Sequence, residues 1–240
     1  METRPLRILS YNIHGRAHRF DRRYLERIAR VIGEARPDVV GLQEVYRGSR
    51  HSRFEDQAGA LAAQLGMSAH FGPSFEIEGG HFGNAVLTTG EMRASEVVPL
   101  PGAGEPRTLL HSRIALSLEE IEAEIDFYVT HLAAWGRWSR AARTVQITGV
   151  LERLKQSNGP FVLVGDLNAP PEAPEIGTLL AAEMFRVCGE EMACTHRFMR
   201  QRIDYVFADP GWTTRSSTVL RAGPSDHWPV LVELERTAQS

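Results

Sequence analysis

Eight polar side chains stand at or beside apolar runs that read as buried strands. Asn12 ends LRILSYN, Glu44 ends VVGLQE, His131 follows FYVT, and Asp166 and Asn168 follow VLVG. Asp204 lies inside RIDYVF, and Asp226 and His227 precede WPVLV. Burying such groups is costly unless they are paired, hydrogen-bonded or bound to a metal. One case would carry no information, since Glu44 alone suits the polar end of a strand and His131 alone suits a hydrogen-bonded core histidine. Asp166 and Asn168 alone suit an Asx turn before Pro170 and Pro171. Six strands with the same feature point to convergence on one polar site at the sheet edges. Carboxylates with an amide and no cysteine are hard oxygen donors, suited to Mg²⁺ or Mn²⁺ rather than zinc. His131 and His227 can move protons or meet developing negative charge. Together these groups suit attack on a phosphate ester, where catalysis is mostly positioning and charge stabilisation.

The elements that must hold these residues follow from periodicity. Residues 6–13 and 38–45 read as strands. Between them, residues 21–35 place Tyr24, Leu25, Ile28, Val31 and Ile32 on one helical face. Pro37 stops that helix. A second helix spans 56–66 and closes on Gly66, and residues 81–130 are rich in strands. A long helix follows at about 137–156, then the strand PFVLVGDLN, on which Asp166 and Asn168 at i and i+2 would point the same way. Short strands around IDYVFA and WPVLVEL complete the chain. Antiparallel-looking pairs mixed with βα units predict a mixed α/β sandwich rather than a purely parallel fold.

Composition bounds the rest. The 240 residues, 42% hydrophobic and 24% charged, suit one folded domain over 1–240, with no linker or repeat to divide it. A net charge of −3 gives no global pull toward nucleic acid or membranes. No stretch approaches the ~18 apolar residues of a membrane span, and METRPLRILSYNIHG lacks the apolar core of a secretory signal. Cys188 and Cys194 are too few for a disulfide scaffold, so a cytoplasmic protein with reduced thiols is expected. Of 27 basic residues, 26 are arginine and only Lys155 is lysine. Arginine forks suit phosphate, although a coding bias of the source genome explains the excess equally well.

The ordered blocks SYNIHG, DVVGLQEV, FGNAVLT, VTHL, VGDLNAP, RIDYVF and SDHWPV resemble the endonuclease/exonuclease/phosphatase superfamily, in particular its small bacterial stand-alone members. The resemblance runs from about Arg7 to Leu234. It implies a four-layer α/β/β/α sandwich of two mixed sheets flanked by helices. It also implies Mg²⁺ or Mn²⁺ held by Asn12, Glu44 and Asp226. His227, oriented by Asp204, would contact the scissile phosphate. Asp166 would position or deprotonate the attacking water, Asn168 would hold a phosphate oxygen, and His131 would stabilise charge. The implied enzyme is a phosphoester hydrolase working by in-line attack of water without a covalent intermediate.

The substrate is less legible. A phosphodiesterase with nuclease-like activity is the leading reading. The alternatives are a phosphatase for a small metabolite, inositol phosphate or lipid headgroup, and a catalytically silent binding module. Arg47 and Arg50, after the strand bearing Glu44, are candidates to grip the substrate, as are Arg107 in EPRTLL and Arg137 near His131. Trp135 and Trp138 suit stacking or packing equally. Arginines 22–30 read as a solvated helical face. A monomer without an obligate protein partner is expected.

Overall fold

The computed structural model describes residues 4–118, 121–134, 139–189 and 194–237. Among the described residues, twelve strands run in chain order. The first six are β1 (Leu6–Asn12), β2 (Val39–Arg47), β3 (Ser68–Ile77), β4 (Gly80–Thr88), β5 (Glu91–Pro99) and β6 (Thr108–Leu118). The rest are β7 (Ile121–His131), β8 (Phe161–Asp166), β9 (Arg186–Val187), β10 (Asp204–Ala208), β11 (Trp212–Val219) and β12 (Val230–Arg236). Four α-helices are interspersed among the described residues: α1 (Tyr24–Ala35), α2 (Gln57–Leu65), α3 (Ser139–Leu154) and α4 (Pro174–Leu180).

The strands form two six-stranded sheets, ordered β11-β12-β1-β2-β4-β3 and β5-β6-β7-β8-β10-β9. Their inner faces meet in an apolar core that includes Ile8, Val39, Val86, Ile114, Phe127, Val164, Val206 and Val232. Gly41 sits at that contact, where a Cβ would lie 2.2 Å from a methyl of Val164 in the facing sheet. The outer face of the first sheet packs under α1 and α2 through Leu9, Tyr11, Leu42, Ile28 and Leu61. The outer face of the second packs under α3 and α4 through Tyr128, Leu163, Ile147 and Ile176. The four-layer α/β/β/α sandwich expected from sequence is therefore present.

Each sheet contains one parallel neighbour pair, β1 with β2 and β7 with β8, and all its other pairings are antiparallel. Parallel strands end at the same edge, so the C-terminal ends of these four strands come together. Antiparallel β10 begins at that edge, with Asp204 opposite Asp166. Elements that the periodicity reading omits are β3, β9, β11 and α4. The strands β3 and β11 lie at sheet edges and expose much of their length. The helix α4 has only seven residues.

Candidate functional site

Local chemistry aims each residue at the shared edge. Asn12 is the last residue of β1, and its carbonyl accepts a hydrogen bond from Ser225 Oγ (2.8 Å). Ser225 Oγ also accepts from His227 N–H (3.1 Å), which ties the SDH segment to the end of β1. Glu44 lies at a break in the pairing of β2 with β4, between Leu42 and Val45, and its φ is +56°. Such a bulge re-aims a side chain, and a non-glycine residue there holds strain of the kind found at functional sites. Gly165 lets β8 close on β7, because a Cβ would lie 2.1 Å from the Thr130 carbonyl oxygen. His131 and Asp166 are consequently register partners. Thr195 Oγ1 accepts from the backbone N–H groups of Ile203 and Asp204 and fixes the start of β10.

These residues form one connected cluster. Asn12 Nδ2 donates to Glu44 Oε1 (3.1 Å) and Asp166 Oδ2 (3.0 Å). Asp166 Oδ2 also lies 3.6 Å from His131 Nε2 and 3.7 Å from His227 Nε2. On its far side His227 Nδ1–H donates to Asp204 Oδ2 (2.8 Å). Burial pulls the His227 pKa down, but the Asp204 and Asp166 carboxylates outweigh it and raise it to about 10. Burial and the charge of Asp204 push Asp166 up to about 7. Burial, aided by Arg107 and His227, drives His131 well below its usual range and keeps it neutral.

Two histidines add to what the strand ends announce. His14, in a left-handed conformation at φ +43°, donates from Nδ1 to both oxygens of Asp226 (3.1 and 3.0 Å). Burial would raise the Asp226 pKa, yet the His14 bond and charge hold it at about 2. His196 Nε2 lies 4.0 Å from Asp226 Oδ2, and its ring meets that of His227 edge-on, with centroids 4.7 Å apart. His196 Nδ1 accepts from Met199 N–H (3.1 Å), so the neutral ring carries its proton on Nε2, facing Asp226. The sequence shows no strand-like apolar run leading into His196. It reaches the site through an isolated pairing with His227, which nothing local in CTHRFMRQ signals.

The other sequence candidates separate. Asn168 does not continue the extended strand: its φ is +49°, its N–H closes an Asx turn on Asp166 Oδ1 (2.9 Å), and its Nδ2 donates to the Leu132 carbonyl. The expected common direction of Asp166 and Asn168 is therefore replaced by a turn that braces both. Arg107 is buried beside the cluster. It pairs through Nη2 with Glu105 (2.6 Å) and lies over the Phe82 ring, which itself abuts His131. Among the described residues, its Nε and Nη1 have no hydrogen-bond partner. Arg47 instead stacks on Phe71 at 4.7 Å, under α2, and Arg50 is exposed on the following turn. Arg22, Arg23, Arg27 and Arg30 face solvent as expected. Arg137, Trp135 and Trp138 lie outside the described residues.

The donor set fits a divalent cation. Four carboxylates (Glu44, Asp166, Asp204 and Asp226) face two imidazoles with raised pKa, His14 and His227. The crowding that lifts Asp166 is what a hard cation relieves. Ligand atoms of Asp166, Asp204 and His227 lie within 4.8 Å of one another, as do those of His196, Asp226 and His227. The Asn12 amide presents nitrogen to the carboxylates, while its oxygen accepts from His14 N–H (3.0 Å). In this arrangement Asn12 bridges Glu44 and Asp166.

Two facing sheets with carboxylate, amide and imidazole groups at one shared edge define a phosphoesterase of the two-sheet sandwich class. Residues 9–227 match the sequence model of the Endonuclease/Exonuclease/phosphatase family, and the chain belongs to that family. No curated protein matches the chain significantly by sequence. Among solved structures it resembles an endonuclease/exonuclease/phosphatase from Beutenbergia cavernae at 24% identity and TM-score 0.79, over 97% of this chain and 72% of that one. The human nocturnin catalytic domain with bound sulfate aligns at 20% identity and TM-score 0.80, covering 98% and 94%. A mannosyl-6-phosphatase from Bacteroides thetaiotaomicron aligns at 21% and 0.78, covering 96% and 99%. These likenesses show the shared fold. Members of the family hydrolyse phosphoester bonds.

Proposed function

We propose that the chain is a divalent-metal-dependent phosphodiesterase that cleaves its substrate by in-line attack of water. The observation that carries this reading is Asp166 set between two imidazoles, one neutral and one cationic. Burial and the neighbouring Asp204 charge raise its proton affinity, which suits its carboxylate to act as a general base. Asp166 takes a proton from water, the water oxygen bonds to phosphorus, and the ester oxygen departs without a covalent enzyme intermediate. The His227 imidazolium, held by Asp204, meets the negative charge on phosphorus-bound oxygens, and neutral His131 offers a hydrogen bond there. Glu44 and Asp226, with Asn12 bridging, would hold Mg²⁺ or Mn²⁺, which supplies Lewis-acid stabilisation of the phosphoryl and leaving oxygens. His14 orients Asp226.

A second reading, a phosphomonoesterase, is favoured by Arg107. Two guanidinium nitrogens beside His131, without a hydrogen-bond partner among the described residues, suit the extra oxygen and charge of a terminal phosphate. A panel of bis-p-nitrophenyl phosphate and p-nitrophenyl phosphate, each with Mg²⁺, Mn²⁺ or EDTA, tests both. Diester hydrolysis abolished by EDTA supports the first reading. Hydrolysis of the monoester alone selects the second, and ligand binding without hydrolysis of either defeats both.

A further inference from the structure

The dipeptide Arg-Phe occurs three times in the chain, at Arg19-Phe20, Arg53-Phe54 and Arg197-Phe198. Those three phenylalanines are exposed, at 78%, 69% and 76%, whereas the other seven are buried or half-buried. All three belong to the catalytic end of the sandwich. Phe20 follows the short turn Gly15–Arg19 after β1, and Phe54 follows the turn Arg50–Ser52 after β2. Phe198 lies in the segment that brings His196 to Asp226, anchored by Arg197 N–H on the Asp226 carbonyl (2.8 Å). The first two loops touch through His18 and Glu55 (3.4 Å). The guanidinium carbons of Arg19 and Arg197 lie 5.6 and 5.8 Å from the rings that follow them.

An exposed phenylalanine gains nothing from water, and three on separate loops around one site are a placed feature rather than scatter. Each pairs an apolar ring with a cation, the combination that holds a peripheral protein to an anionic lipid surface. Single-stranded nucleic acid also stacks on aromatic rings, but it does so along a positive groove that tracks the strand. Here the rings protrude from three different loops, and the chain as a whole carries −3, so positive charge acts only locally at the rim. We infer that the Arg-Phe loops dock the catalytic end of this protein onto an anionic lipid surface, so that the phosphoester it cleaves is presented from that surface. This deepens the phosphoesterase reading, yet docking is measured without catalysis, so either can fail alone.

The test is co-sedimentation of the whole chain with vesicles of phosphatidylcholine, with and without phosphatidylglycerol, beside fluorescence anisotropy on oligothymidylate. The wild type is expected to sediment with the phosphatidylglycerol vesicles. The Phe20→Ser/Phe54→Ser/Phe198→Ser variant should lose about tenfold or more in partitioning, since it removes the inserted rings. The Arg19→Gln/Arg53→Gln/Arg197→Gln variant should lose about fivefold per arginine, and with it the preference for anionic lipid. Circular dichroism checks that these surface variants keep the fold. Equal partitioning of wild type and the phenylalanine variant, or no sedimentation of the wild type, overturns the proposal. So does oligothymidylate binding that the phenylalanine variant abolishes while vesicle binding stays the same.

Discussion

Replacing Asp204 by Asn removes one negative charge while leaving an oxygen that can accept the His227 Nδ1–H bond. The consequence is calculable because His227 is only 5% exposed and its charge has few sources of support. Its pKa stands at about 10 against an ordinary 6.5, despite burial working the other way. That difference corresponds to about 5 kcal/mol in favour of the imidazolium. Asp204 supplies the largest favourable charge and the hydrogen bond, so it accounts for at least about half of the effect. Without it the His227 midpoint should fall to about 7–8. Asp166 should fall too, because Asp204 is the like charge that lifts it.

One substitution is therefore expected to lower two midpoints for opposite electrostatic reasons: a lost counter-charge at His227 and a relieved repulsion at Asp166. NMR titration of the imidazole and carboxyl signals in the metal-free protein reads both. The kcat/KM for bis-p-nitrophenyl phosphate should fall by about 10²–10³, the usual effect of losing one preorganised charge stabiliser. A His227 midpoint still near 9 or higher, or a loss below about tenfold, would refute the assignment of Asp204 as the group that keeps His227 charged.

Arg107→Met should leave thermal stability equal or higher, because two of its buried guanidinium nitrogens lack partners among the described residues. Phosphoester hydrolysis should nevertheless drop about tenfold or more; unchanged kinetics would remove Arg107 from the site. Gly165→Ala forces a Cβ to within 2.1 Å of the Thr130 oxygen, and denaturant titration should show a loss of about 1–3 kcal/mol together with lost activity. Saturating Mn²⁺ or Mg²⁺ should raise the thermal midpoint, by about 2.7 kcal/mol of stability at a hundredfold excess over Kd, and EDTA should reverse it. The His14–Asp226 pair sets a pH window. Asp226, held at about 2, stabilises above about 4 and loses this as pH falls. His14, raised above 6.5, stabilises below that value and loses it as pH climbs through its folded midpoint. His14→Gln should flatten both limbs of a stability–pH curve measured in EDTA, by about 1 kcal/mol given the solvent exposure of the pair.

The strand-end residues were legible because a buried strand has almost no reason to carry a polar group. Asn12, Asp166, Asp204 and His227 are all buried and all linked to one another. What the chain does not announce is geometry that arises between elements. The left-handed Glu44 needs the β4 partner to define its bulge, and the turn at Asn168 needs the Leu132 carbonyl. His196 is brought in by a contact 31 residues along the chain, at His227. The edge strands β3 and β11 escape the periodicity because one-sided, partly solvated strands alternate weakly. The arginines were the least legible: a solvated guanidinium and one buried with unsatisfied donors have the same letter.

The fold explains why acidic residues at its two ends behave differently. Asp126 and Asp166 lie on adjacent strands of one sheet and are 3% and 1% exposed, yet their pKa values move in opposite directions. Burial would raise Asp126, but Ser157, His111 and Arg113 all hydrogen-bond its carboxylate and lower it. Asp38, at the same end, is held by Arg4 and the backbone of Arg7, and Asp209 takes the N–H groups of Phe161 and Gly211. These acids sit where the parallel strands begin, and each is supplied with donors. Where the same strands end, Asp166 instead meets Asp204, and burial with that like charge lifts its pKa. A structural acid is satisfied by its own chain, whereas Asp166 is left with a like charge beside it. That raised carboxylate, set among Glu44, Asp204 and Asp226, marks the end of the sandwich at which a cation and a phosphoester would complete the site.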